Sequence, residues 1–252
     1  MTRACLVHGV PETAAVWDLL VAELVALGVE QPLLLSPPGF GAPTPDNWGG
    51  TVDEYTTWLI TELESVGGPV DLVGHDWGGG HVLNVAMTRP DLVRSWASDV
   101  VGVFAADYEW TGLAQQWQTP IVGEATIEAM LAQTADERVA TFVAGGMNPG
   151  IAARVAPGLD AVMGDCILQL YRSAAQPKTS ELGRRLDAAA ARPGLALMPS
   201  EDHGVGTDEQ RDQTAARAGA RSQILEGLGH WWMTEDPRRA ASILVAFWKS
   251  LA

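Results

Sequence analysis

The stretch Val73-Gly74-His75-Asp76-Trp77-Gly78-Gly79 constrains this chain more than any other. An apolar run at residues 69–73 leads into it, and an apolar-rich segment at residues 81–87 carries on as helix. The pattern reads strand, sharp turn, helix. The spacing Gly-x-Asp-x-Gly places a carboxylate at the tip. A turn this tight has no room for side chains against the neighbouring strand or helix, so the glycines are a steric requirement. A carboxylate that attacks carbon forms an alkyl ester. Asp76 therefore suits an sp3 carbon carrying a leaving group, an epoxide or a halide, better than an amide or a phosphate.

The flanking sequence alternates between short strands and helices. Residues 3–7 form an apolar strand that ends at His8-Gly9-Val10-Pro11. Residues 14–27 have helical periodicity and stop at Gly28. A second strand at 32–35 runs into Ser36-Pro37-Pro38-Gly39-Phe40-Gly41, and a helix spans 51–66 with Thr51 as N-cap and Glu54 completing a capping box. Residues 92–101 read as a strand. From residue 104 to 192 the material is mostly helical. Strands resume at 194–198 and 221–225, and a helix at 237–251 closes the pattern. The expectation is a mostly parallel sheet covered by helices on both faces. Residues 1–103 and 193–252 would form the core domain, with 104–192 inserted as a helical lid.

An apolar content of 47% over 252 residues is enough for one large domain core. The formal charge of −15 argues against nucleic acid or an anionic membrane as partner, because both need a basic footprint. There is no run of about eighteen apolar residues, so no membrane span is expected. Met1-Thr2-Arg3-Ala4 leads straight into a strand, which reads as no leader and a cytoplasmic location. Cys5 and Cys166 read as two buried thiols. The five histidines show no His-x-x-x-His spacing, so no metal is expected, and no cofactor. Gly39-Phe40-Gly41 is no phosphate loop, since no lysine follows.

Two further residues follow strands. Asp202 lies just past the strand at 194–198, and His230 lies just past the last strand, in Gly227-Leu228-Gly229-His230-Trp231. Residues beyond strand C-termini converge on one edge of a parallel sheet, so Asp76, Asp202 and His230 are expected to meet. Through these residues, together with His8-Gly9-Val10-Pro11 and Gly39-Phe40-Gly41, the chain resembles the α/β-hydrolase superfamily and, within it, the aspartate-nucleophile branch of epoxide hydrolases and haloalkane dehalogenases. The resemblance implies an α/β-hydrolase fold. It implies that Asp76 attacks, that His230 activates water, and that Asp202 orients His230. It also implies that the backbone N–H groups of Val10 and Trp77 hold an oxyanion. The chain departs from the family in two places. The first two strands common in relatives are expected to be missing, and Ser36-Pro37-Pro38 stands where many relatives carry Asp and Arg.

The leaving group separates the two activities. Epoxide hydrolases use two lid tyrosines. Of Tyr55, Tyr108 and Tyr171, the second lid position is matched by Tyr171, and the first by Tyr108 or by Trp117 in its place. Dehalogenases use indole or amide N–H donors, which Trp77 with Trp110 or Trp117 could supply, whereas Val10 removes one asparagine arrangement. Epoxide hydrolysis is the first reading, dehalogenation the second, and a ligand-binding protein that kept the hydrolase shell the third. The partner would be a small hydrophobic or amphipathic organic substrate, and the protein a monomer or homodimer. Asp99 is the alternative acid for His230. His8 is expected to brace its own turn, His75 to point away from the nucleophile, His81 to be buried or solvating, His203 to lie at the surface, and Trp231-Trp232 to pack beside the histidine.

Overall fold

The computed structural model describes residues 3–110 and 112–251; Met1 and Thr2, on which the no-leader reading rested, lie outside the described residues. Six parallel strands form one sheet in the order β2-β1-β3-β4-β5-β6. They are β1 Ala4–Val7, β2 Leu33–Leu35, β3 Val70–Gly74, β4 Val93–Ser98, β5 Gly194–Pro199 and β6 Ala220–Leu225. Helices α1 Asp18–Ala26, α2 Val52–Val66 and α3 Trp77–Thr88 alternate with the first four strands. Between β4 and β5 come α4 Gly112–Gln118, α5 Val122–Ala132, α6 Ala135–Ala144, α7 Pro149–Val155, α8 Ala161–Ser173 and α9 Lys178–Gly183. Helix α10 Asp208–Arg217 precedes β6, and α11 Trp232–Glu235 and α12 Pro237–Lys249 follow it. Among the described residues no helix is long and apolar enough to cross a membrane.

The inner strands β1, β3, β4 and β5 bury both faces, whereas the edge strand β6 is largely exposed. Leu6, Val73, Ala97, Leu195 and Leu197 point to one side, where Trp17, Leu20, Leu24, Leu244 and Phe247 cover them. Cys5, Val7, Leu72, Trp96, Ala196 and Met198 alternate to the other side, against Leu59, Leu63, Leu83 and Ala86. Burial on both faces explains why β1 and β5 read as nearly unbroken apolar runs. The expected strand at 92–101 ends at Ser98 instead. Asp99 and Val100 leave the ladder, and the Val103 N–H turns back onto the Val100 carbonyl at 3.2 Å. The capping box at Thr51 and Glu54 forms, and Gly28 takes φ 85° past α1.

The helical insertion is tied to the core in two ways. Phe142, Met147, Ile151, Ala152 and Val155 share a cluster with Trp17 and Trp232 beside the sheet. Trp117, Ile127, Met163, Ile167, Leu170 and Tyr171 form a separate cluster with Val10, Phe40, Val52 and Tyr55 above the strand ends.

Strand β1 has β2 on one side and β3 on the other, so the chain reverses its direction of progress between β1 and β3. Ligands of open parallel sheets bind beyond the strand ends at such a reversal. The turn after β3 fits only because α3 presses its first turn on β1. A Cβ on Gly78 would lie 2.1 Å from the Val7 carbonyl oxygen, whereas one on Gly80 would meet only Trp77 Cε3, at 3.9 Å. Gly78→Ala should therefore lose about 1–3 kcal/mol of stability through overpacking. Gly80→Ala should gain up to about 1 kcal/mol from helix propensity. Urea unfolding of the two variants checks this, and equal losses would contradict the close contact assigned to Gly78.

Candidate active site

The turn after β3 holds Asp76 at φ 51° and ψ −126°, a conformation that a non-glycine residue adopts only under constraint. The constraints are visible. The His75 N–H donates to the Val7 carbonyl at 3.1 Å and the Asp76 N–H to Asp99 Oδ1 at 3.0 Å. The Gly80 N–H donates back to the Asp76 carbonyl at 3.1 Å, which starts α3. The Asp76 side chain lies over the turn after β1, and the Val10 N–H donates to its Oδ1 at 2.9 Å. Gly9 has to be glycine here, because a Cβ would lie 2.3 Å from the Asp76 Cβ. Burial pushes the Asp76 carboxyl up to about 6, against the opposing pull of His230 and His75.

Asp202 and His230 meet beyond β5 and β6. His230 Nδ1 lies 2.8 Å from Asp202 Oδ2, and the Gly204 N–H donates to Asp202 Oδ1 at 3.0 Å. Burial opposes both charges. The hydrogen bond wins on each side: Asp202 is held down at about 2, and His230 is raised above its ordinary value. Nδ1 is spent on Asp202, so Nε2 is the ring nitrogen left to exchange a proton. Asp99 has a different task. Its carboxylate accepts from the Asp76 N–H and from Trp232 Nε1 at 2.7 Å, and lies 2.5 Å from His75 Nδ1.

His75, next to the nucleophile, has partners of its own. Its fully buried ring lies between Asp99 and Glu12, with Glu12 Oε1 3.1 Å from Nε2, and its centroid is 4.6 Å from that of His230. Burial disfavours its charge, but the two carboxylates raise it well above the ordinary histidine value. Glu12 is buried too and would be pushed up by that alone; His75 instead holds it at about 2. Trp231 Nε1 also donates to Glu12. Sequence reasoning passed over Glu12. The available signal was a carboxylate directly after His8-Gly9-Val10-Pro11, one turn from the end of β1. Glu12, His75 and His230 bring ligand-type atoms within 4.8 Å of one another. A protonated His75 has no lone pair to offer, so this grouping reads as an ion pair.

A cavity of about 400 Å³ opens over Asp76 and is lined by Val10, Trp77, Tyr108, Trp110, Trp117, Tyr171, Asp202, His230 and Trp231, among others. The Tyr171 ring stands at the centre of an aromatic group, 5.3 Å from Trp77, 5.6 Å from Trp110 and 4.8 Å from Trp117 between centroids. Burial, and then the Asp76 charge, raise its phenol well above the ordinary value. Tyr108 is placed otherwise than a leaving-group donor requires, since its hydroxyl donates to the Gly204 carbonyl at 2.9 Å. The indole Nε1 atoms of Trp110 and Trp117 are buried without a partner among the described residues. Trp231 lines the cavity as well as packing on His230, at 5.1 Å between centroids. The remaining histidines lie near their expected places. His8 Nδ1 is 2.9 Å from the Gly9 carbonyl, His81 is buried against Tyr55, and His203 is exposed. Both cysteines are buried free thiols.

A turn-borne carboxylate facing a histidine–aspartate pair across strand ends is the arrangement of a hydrolase built on a parallel sheet. Residues 6–243 match the model of the Alpha/beta hydrolase family, and the chain belongs to that family. It is similar to Lipase LipV of Mycobacterium tuberculosis, at 36% identity over 95 residues. It is also similar to Bifunctional epoxide hydrolase 2 of Mus musculus, at 33% identity over 101 residues. Each alignment covers 37% of this chain, and they span 34% and 17% of those proteins. In fold it is similar to a loop variant of the haloalkane dehalogenase DbeA from Bradyrhizobium elkanii, with a TM-score of 0.71 and 18% identity, covering 100% of this chain and 91% of that one. The architecture is thus the α/β-hydrolase fold.

Glu12→Gln should destabilise the protein by about 3–5 kcal/mol, because it leaves the His75 charge with half its compensation in a buried site. The sign with pH follows from the lowered Glu12 value. The wild-type advantage should be full above the ordinary carboxylate value of 4.5 and should shrink as pH falls towards about 2. Urea unfolding at several pH values measures both effects; a loss below about 1 kcal/mol at neutral pH would remove Glu12 from this role.

Proposed function

We propose that this α/β hydrolase is an epoxide hydrolase with Asp76 as nucleophile. The observation that carries the reading is a carboxylate, not a hydroxyl, at the strained tip of the turn, facing the His230–Asp202 pair. An Asp76 carboxylate oxygen forms a bond to an epoxide carbon as the ring C–O bond breaks. The released alkoxide takes the proton of the Tyr171 phenol. A water then gives a proton to His230 Nε2, and the resulting hydroxide adds to the carbonyl carbon of the ester. The Val10 and Trp77 N–H groups hold the oxyanion, the latter at the start of α3 where helix N–H groups lack internal partners. Collapse releases the diol and restores the Asp76 carboxylate, and the His230 proton replaces the one Tyr171 gave. Asp202 keeps His230 in the tautomer that this sequence needs. The helices over the cavity, within residues 104–192, would act as the lid.

A second reading has its own support. The unpartnered Nε1 groups of Trp110 and Trp117 in the same cavity suit a halide, which accepts hydrogen bonds and needs no proton. With Tyr108 engaged by Gly204, an epoxide would rely on Tyr171 and one of these indoles. The test is Tyr171→Phe. Epoxide opening should drop by roughly tenfold to ten-thousandfold, while release of chloride or bromide from haloalkanes changes little. Untouched epoxide turnover, with halide release abolished by Trp117→Phe, would transfer the assignment to dehalogenation.

The covalent step has a separate check. Asp76→Asn should form no ester on first mixing, and His230→Gln should accumulate one, seen as an added substrate mass on the intact protein. Ester formation should weaken as pH falls through about 6, where Asp76 takes up its proton. Ester hydrolysis needs neutral His230 and should weaken as His230 protonates. Because the Asp76 charge helps raise His230 and is absent from the ester, the second midpoint should lie below the His230 value in free enzyme. Full multiple turnover by His230→Gln would remove it as the base.

A further inference from the structure

The cavity extends past the nucleophile along one side of α3. Trp77, Gly80 and Asn84, at positions i, i+3 and i+7, all line it, so it follows one stripe of the helix for about 10 Å. Gly80 is what leaves this arm open. Gly78 and Gly79 are needed for packing, with added Cβ atoms 2.1 Å from Val7 O and 2.7 Å from Ser98 Oγ. Gly80 has no such neighbour, and a helical glycine costs about 1 kcal/mol relative to alanine. The same cavity is also lined by Val103, Phe104 and Leu182, which are apolar.

The arm has one polar feature that the fold does not use. Asn84 is 4% exposed, and its Oδ1 is buried with no hydrogen-bond partner among the described residues. Its helix neighbours Val82, Leu83 and Val85 are core aliphatics, so an apolar residue would serve packing better. A buried unpaired amide oxygen is costly and calls for a partner that is not in the protein. Thr179, also on the arm, cannot fill that role by donating, because its hydroxyl donates to the Ala174 carbonyl.

We propose that this arm binds the tail of the substrate and that Asn84 recognises a hydroxyl at its far end. The substrate is then an elongated, amphipathic molecule. Its reactive carbon sits at Asp76, an apolar middle passes Gly80, and a hydroxyl about two helix turns of α3 away meets the amide. A hydroxyl fits because it can donate to Oδ1 or accept from the amide nitrogen. The proposal rests on the Asp76 reading for the reactive end only.

Binding of unreactive probes separates the two. Straight-chain carboxamides of increasing length, and their ω-hydroxy counterparts, are titrated against the tryptophan fluorescence of the whole chain. At one chain length the ω-hydroxy amide should bind roughly twofold to tenfold more tightly than the ω-methyl amide. Asn84→Leu should erase that preference, and Gly80→Leu should weaken the long amides while sparing the short ones. Thermal unfolding confirms that each variant is folded, and Gly80→Leu reads the arm independently if Asn84→Leu is not. No preference in the wild type, a preference retained in Asn84→Leu, or equal effects of Gly80→Leu on long and short amides would each overturn the proposal. Failure of every epoxide and haloalkane to turn over, with these binding results intact, would overturn the Asp76 reading alone.

Discussion

The buried pairing of His75 with Glu12 and Asp99 carries the link between β1, β3 and β4 past the end of their ladder, into the loops that build the site. Glu12 comes from the loop after β1, His75 from the turn after β3, and Asp99 from the exit of β4. Each carboxylate has further donors. Asp99 accepts from the Asp76 N–H and from Trp232, and Glu12 from Trp231 and the Gly9 N–H. The two tryptophans bring in the segment after β6 that carries His230. One buried cation thus sets the relative position of the nucleophile turn, the backbone donors after β1 and the histidine. Such pairs gain little net stability, because desolvation offsets their attraction, yet removing one member is expensive. That asymmetry suits a site whose geometry must be single-valued.

The same cluster shapes the charge state of the reacting groups. Asp76 is buried, which raises its carboxyl, but His230 and His75 keep that rise in check, so the carboxylate is ionised near neutral pH and only weakly solvated. A poorly solvated anion is a stronger nucleophile than one in water. His230 is held up by Asp202 and pushed down by burial and by the His75 charge. A base tuned by opposing neighbours sits nearer its working pH than either neighbour alone would place it. Tyr171 is raised by burial and by Asp76, so it holds its proton at neutral pH.

The parts legible in the sequence are those that sit at strand ends. Asp76, Asp202 and His230 each follow a strand, and a parallel sheet brings such positions together whatever the loops do. Glu12 was hidden because it follows β1 by five residues, in a loop whose path depends on packing against Trp231. The partners of His75 were hidden for a similar reason. Glu12 and Asp99 reach it from the loops after β1 and β4, and its ring centroid lies 4.6 Å from that of His230. Tyr108 reads as a cavity tyrosine and is one; only the structure shows that Gly204 holds its hydroxyl. The insertion read as a lid, yet Phe142 and Ile151 pack with Trp17 beside the sheet, a contact between distant segments that periodicity cannot carry.

What distinguishes an epoxide from a halide here is the proton inventory above Asp76. The attack, the ester and its hydrolysis are common to both chemistries. The difference lies at the atom that leaves, an oxygen that must gain a proton or a halide that need not. Tyr171 is a phenol among indoles, and the indole N–H groups of Trp110 and Trp117 can donate hydrogen bonds but do not surrender protons. One acid and two neutral donors can stabilise an alkoxide and then neutralise it. Donors alone would stabilise a halide, and the phenol would be unnecessary. Under the proposed reading, the Tyr171 phenol at the centre of the aromatic group is therefore the group on which the choice between the two leaving atoms turns.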